Sequence, residues 1–194
     1  MMNIADKRLE PFDSARSSTF MMMVSRLKAE HDRLKEQVHR LHERSLDLAT
    51  ATSRGNRLQL LEELRLETAG LLADLEQHAK WEDEELFPAV MHYFKRRMEP
   101  TMMPSMWVLE KDHELALQFF DSFMELSCSI LADLQQDGSG NAADSYYDFF
   151  DVLKRAADHL TQACLILQGH FHMEEEFLFP LAEEILTDID YLFS

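Results

Sequence analysis

The stretch HFHMEEEFLFP, residues 170–180, decides how this chain folds. His170 and Glu174 stand four residues apart. On a helix they share one face, with β-carbons roughly 5–6 Å from each other. The rest of that face is apolar, running through Phe149, Ala156, Leu160, Ala163 and Leu167 to Phe177. A titratable pair on a buried stripe needs a chemical reason. The arrangement also occurs twice, since residues 78–88 read HAKWEDEELFP, with His78 and Glu82 again four apart. Aligning 78–90 with 170–182 gives six identities in thirteen positions: the His, two Glu, the Leu, the Phe and the Pro.

Outward from these two stretches, apolar residues recur in steps of three and four, the period of helices that bury one side. The first stripe is Phe20, Val24, Leu27, His31, Leu34, Val38, Leu41, Ser45, Leu48, and the second is Leu61, Leu64, Thr68, Leu71, Leu75, His78, Glu82. The third is Met106, Leu109, His113, Leu117, Phe120, Met124, Ser127, Leu131, Leu134. Turn formers gather at SRGN (53–56), RMEPTMMP (97–104) and DGSGN (137–141), and only five glycines and five prolines occur in the chain. Four long helices with short connections predict an all-α protein, an up-down-up-down four-helix bundle with a metal site in its core. Residues 1–14 are expected to be irregular and 15–194 to form the bundle. Pro88 is expected to bend the second helix, and Pro180 to bend or end the fourth.

Each stripe holds one histidine. In a helical hairpin, residues equally far from the loop lie at one level. The midpoint of His31 and His78 falls at 54.5, inside SRGN, and that of His113 and His170 at 141.5, beside DGSGN. Both hairpins therefore set their histidines side by side. The resulting set is His31, His78, Glu82, His113, His170 and Glu174, four imidazoles and two carboxylates. Such donors suit iron, manganese or zinc and not calcium or magnesium, which take oxygen shells. Leaving a buried charge unpaired costs several kcal/mol, against a total stability of about 5–15 kcal/mol for a domain. A cation resolves that conflict. His39, His42, His92, His159 and His172 fall off the stripes and read as solvated or capping residues; Glu85 reads as a solvated glutamate.

Composition narrows the partners. With 19 basic and 36 acidic residues the formal charge is −17, which repels phosphate backbones and anionic lipid, so neither nucleic acid nor membrane is expected. No uninterrupted apolar run approaches the ~18 residues of a membrane span. The opening MMNIADKRLEPFDSARSS lacks the layout of a secretory signal, and Cys128 and Cys164 form no CxxC. Both read as buried thiols of a cytoplasmic protein. The methionines at 21–23, 102, 103 and 106 read as adaptable packing.

The order His31, then His78-xxx-Glu82, then His113, then His170-xxx-Glu174, each pair trailing into Leu-Phe-Pro, resembles the hemerythrin-like (HHE cation-binding) family over roughly residues 20–182. That resemblance implies two non-haem iron ions, oxo- or hydroxo-bridged, with both glutamates bridging; His31 and His78 hold one iron, His113 and His170 the other. It implies reaction with or sensing of O2 or NO, or iron handling in stress response. Oxygen carriers of the family have a further histidine one turn from the lone histidine of the third helix. Here those positions are Leu109 and Leu117, so the sequence is more similar to the repair and stress-response members. Two other readings compete. A ferritin-like di-iron oxidase or iron store needs Glu-xx-His on the second and fourth helices, but Glu36-xx-His39 and Glu110-xx-His113 fall on the first and third. A metal-stabilised regulatory scaffold without redox chemistry needs only the ligands.

Overall fold

The computed structural model describes residues 12–51, 53–94, 102–136 and 142–193. Among them the chain is wholly helical. Helix α1 spans Phe12–Thr50 and α2 Arg54–Trp81; a π-helical turn, Glu82–Leu86, leads into α3, Phe87–Phe94; α4 spans Met102–Gln136 and α5 Ala142–Phe193. Because α2, the π turn and α3 follow without a break, the described residues form four helical bars.

Two of the three turn-forming stretches are taken up in part by helix. Ser53, with extended backbone (φ −92°, ψ 132°), precedes α2, and Arg54, Gly55 and Asn56 already belong to its first turn. Serine is a favoured residue at a helix start, although the Ser53 side chain makes no capping hydrogen bond here. Pro104 likewise lies in the first turn of α4, where a missing N–H removes no intrahelical hydrogen bond. The DGSGN loop lies outside the described residues. Helix α1 starts at Phe12, inside the segment expected to be irregular. Pro180 does not end the fourth helix: α5 runs through it to Phe193.

Helix α1 packs on α2 and α5, and α4 packs mainly on α5 and only lightly on α2. Partners run in opposite order along each pair. Arg33 meets Asp74 while Arg44 meets Glu67; Lys35 meets Glu175 while Ser45 meets Thr161. The larger core cluster includes Leu34, Leu41, Leu61, Leu71, Phe120, Phe123, Leu160 and Phe171. Removing each such side chain from water contributes about 1.5–3 kcal/mol, so the apolar stripes dominate the fold. A second cluster of Phe20, Leu27, Trp81, Leu86, Val90 and Leu178 closes the bundle on the Leu-Phe-Pro side.

The first two stripes bury as expected except at Val24, which is half-buried. On α4 the buried face is Ala116, Phe120, Phe123, Ser127 and Ile130, and Leu117 stands 43% exposed. The reason is packing: α4 turns toward α5, so the side of its stripe facing α2 is left partly open. The α4 segment Lys111–Asp133 is long and apolar enough, by length and composition, to cross a membrane, with mean hydropathy 1.3. Scattered charges interrupt its apolar run while leaving the average that high. Met21 and Met22 are exposed and do not pack. Cys164 is buried, but Cys128 is exposed, where Arg65 donates to its sulfur at 2.9 Å. Cys128 falls between the buried positions Ser127 and Ile130 of α4, off its buried face. The side chains of Met102, Met103, Met106 and Leu109 lie outside the described residues.

Candidate metal centre

His31 comes from α1, His78 from α2, His113 from α4, and His170 with Glu174 from α5. Glu82 opens the π turn. That turn has a local cause. Buried positions His78, Glu82, Leu86 and Val90 follow one another at steps of four. Each step overshoots the 3.6-residue turn, and three in succession overshoot by about 1.2 residues. One widened turn absorbs the excess, keeping Leu86 and Val90 in the core while Asp83, Glu84 and Glu85 face water. Pi-helical turns of this kind recur at functional sites. The same widening brings Pro88 in early on α3, and the helix continues past it to Phe94.

His31, His78, Glu82 and Glu174 converge so that one ligand atom from each lies within 4.8 Å of the others, and all four are buried. Nε2 of His78 stands 2.9 Å from Glu82 Oε1; Nε2 of His31 stands 3.2 Å from Glu174 Oε2 and 4.0 Å from Glu82 Oε1. His170 joins through Nε2, 3.3 Å from the same Glu174 oxygen. His113 stacks beside His170, with ring centroids 4.1 Å apart. As the two hairpins require, His31 and His78 also sit together, their centroids 5.1 Å apart. The structure thus gathers five of the six expected residues directly and places His113 against the fifth.

These contacts are close but misaligned. The Nε2 atoms of all four histidines, and both oxygens of Glu82 and Glu174, are buried without a hydrogen-bond partner. Metal bonds of about 2.1 Å separate neighbouring ligand atoms of an octahedron by about 3 Å, which is the spacing these atoms show. Buried groups that approach without bonding one another fit a cation among them. His31, His78, Glu82 and Glu174 could therefore hold a metal ion, and their mixed nitrogen and oxygen donors suit a transition metal.

Electrostatics agree. Burial and the neighbouring Glu174 charge push the Glu82 carboxyl well above its usual range. Burial pushes Glu174 the same way, but the imidazoles of His170 and His31 outweigh it and hold Glu174 low. Burial, with His170 alongside, lowers His113 to about 3, so its imidazole stays neutral. Neutral imidazole and carboxylate are the forms that bind metal.

Two residues that sequence reading did not single out complete the surroundings. Nδ1 of His78 donates to Glu30 Oε2 at 2.9 Å, and Nδ1 of His31 donates to Glu175 Oε1 at 3.1 Å. Glu30 is held in turn by Arg26 at 2.7 Å, and Glu175 by Lys35. Although burial opposes it, these cations and imidazoles keep both carboxyls below their usual range. Carboxylates so placed fix the tautomer that aims Nε2 inward. The signal was present: each neighbours a ligand in sequence and reaches across to the adjoining helix.

The remaining histidines divide. His39 and His172 are exposed, beside Glu43 and Glu176 at 3.5 and 3.3 Å. His159 is half-buried, its ring 5.6 Å from Phe119, so it packs instead of capping. The side chain of His92 lies outside the described residues. Glu85 is exposed, and so are Glu36 and His39, which removes the α1 half of a ferritin-like ligand set. Compared with known proteins, the chain matches no family model, no curated protein and no solved structure.

Proposed function

We propose that the chain is a non-haem di-iron-binding protein, an up-down-up-down four-helix bundle of hemerythrin-like type, whose centre reacts with or senses O2 or NO or handles iron under stress. The observation that carries this reading is the place of Glu174. One of its oxygens lies 3.2 Å from His31 Nε2 and 3.3 Å from His170 Nε2, between the histidine pairs of the two hairpins. A carboxylate in that position is suited to serve two ions at once. Bound iron with an open position supplies a redox-active Lewis acid able to take a small ligand.

The chain's own residues do the rest. Glu30 and Glu175 fix His78 and His31 with their Nε2 atoms inward. Burial and Glu174 favour the protonated form of Glu82, and a cation bound beside it would take the place of that proton. Phe171, its ring 5.0 Å from His31, and buried Trp81 exclude water from one side. The test is elemental analysis with an electronic spectrum after anaerobic iron loading. Two ions per chain, with charge-transfer bands in the near ultraviolet, are expected.

One observation favours a second reading, a single-ion scaffold without redox chemistry. The tight set comprises His31, His78, Glu82 and Glu174, with His113 and His170 outside it. One ion per chain, spectroscopically silent toward nitric oxide, decides for that reading.

A further inference from the structure

Between α2 and α4 the surface opens into a groove of about 760 Å³. Its floor is apolar, formed by Leu72, Leu75, Ala116, Phe120 and Leu167, with the exposed Leu117 on one wall. His113 lies in this floor. The other five residues of the set are at most 1% exposed, whereas His113 is only partly buried. The groove therefore leads from solvent to the residue of the set that is least buried. Its existence follows from the packing already described: α4 leans on α5 and touches α2 lightly.

The rim is charged in one sense. Glu76, Asp83, Glu84 and Asp121 border the groove, against the single ammonium of Lys80, which lies 4.0 Å from Glu84. A cleft lined by one sign of charge concentrates ions of the other sign and depletes its own. An apolar floor adds a second barrier, since taking an unpaired ion out of water is costly. Anions meet both obstacles. Uncharged molecules meet neither.

We propose that the α2/α4 groove is the entry vestibule of the metal centre and that it admits small uncharged ligands while excluding anions. This rests on the metal reading above, and two experiments separate the failure of one from the failure of the other.

The first needs no metal. Leu117→Cys, made with Cys128→Ser so that the groove carries the only accessible described thiol, is alkylated with uncharged iodoacetamide and with anionic iodoacetate. The preference for iodoacetamide should exceed that of a free thiol by about tenfold, and should shrink as salt screens the rim. Glu76→Lys with Asp121→Lys, both exposed and neither one of the six residues of the set, should abolish the excess. Equal ratios in the groove and in free thiol overturn the charge selection. The second uses iron-loaded protein in stopped flow. Leu117→Trp or Ala73→Trp, each filling the groove from an exposed position, should slow nitric oxide binding about tenfold or more, with metal content and final spectrum unchanged. Normal metal content with unaltered rates in both variants overturns the route alone. A wild-type chain that takes up no metal overturns the metal reading and this one with it.

Discussion

Glu30 accepts a hydrogen bond from His78 across the α1–α2 interface at 2.9 Å, and so decides which nitrogen of that imidazole faces the centre. Glu175 does the same for His31 from α5. Sequence neighbours exchange duties here: the residue beside Glu174 orients His31, and the residue beside His31 orients His78. Replacing Glu30 or Glu175 by alanine should leave the helical content intact and weaken metal binding about 10–100-fold. Competition with a chelator of known affinity measures this. Glutamine, which keeps a carbonyl acceptor, should recover part of the loss. Unchanged affinity in both alanine variants would show that the imidazoles orient themselves.

The ligands and their look-alikes should separate cleanly. His170→Ala and Glu174→Ala remove fully buried donors and should abolish metal uptake. His172→Ala, two residues away but exposed beside Glu176, should bind metal normally. Stripping metal from the wild type should also lower its melting temperature by many degrees, because the orphaned nitrogens and oxygens then stay buried without a cation. A His172→Ala variant as damaged as His170→Ala would mean that the helical phase of α5 is wrong.

How much of this was legible in sequence depends on which helix is asked. Every stripe residue from Leu27 to Leu48, and from Leu61 to Glu82, is buried, because α1 and α2 are packed by neighbours on the side that their apolar period marks. On α4 the period was right but its face was displaced toward Ala116 and Phe123, since periodicity reports which residues are apolar and not how tightly a neighbour closes on them. The exposed Cys128 was misread because the usual burial of a free thiol, and not its place off the buried positions of α4, guided the reading. Glu30 and Glu175 escaped notice because an orienting carboxylate looks like any surface acid until the opposing helix is in place. The steps of four at His78, Glu82, Leu86 and Val90 did announce the π turn to anyone counting against 3.6.

Stability of the metal-free protein should peak between pH 4.5 and 6.5, and the signs follow from two groups. His113 titrates at about 3 when folded against an ordinary 6.5, so the unfolded chain takes up a proton first and stability falls as pH drops through that interval. Glu82 is raised above its ordinary 4.5, so the folded form keeps a proton the unfolded chain has lost, and stability falls as pH rises above 4.5. Metal removes the second trend by replacing the proton. Urea midpoints across pH, with and without metal, test this; a metal-free protein that grows more stable from pH 6 to 8 contradicts it.

The two cysteines should differ in reactivity far more than their shared chemistry suggests. Burial pushes the Cys164 thiol up to about 12, leaving almost no thiolate near neutrality. Cys128 is exposed. Only the thiolate attacks an alkylating agent. One equivalent of label per native chain, mapped to Cys128 by mass spectrometry, is expected, with the second appearing on unfolding. Fast native labelling of Cys164 would show that the α1–α5 interface opens readily.

The π turn offers a test of register that does not depend on metal. Buried Leu75, His78, Glu82, Leu86 and Val90 follow at steps of three, four, four and four. Glu84, exposed and within the turn, is the surplus residue. Deleting it makes the Glu82-to-Leu86 step three, which an ordinary α-helix accommodates without moving Leu86 or Val90 off the core face. The melting temperature should fall by a few degrees, at about 2–4 °C for each kcal/mol in a chain of this size. Deleting Gln77, equally exposed but inside regular helix, rotates His78 and everything after it by about 100°. That variant should unfold or lose its metal. Circular dichroism melts of both deletions decide the matter: if loss of Glu84 is as damaging as loss of Gln77, the widened turn is not spare length but a geometry the core requires.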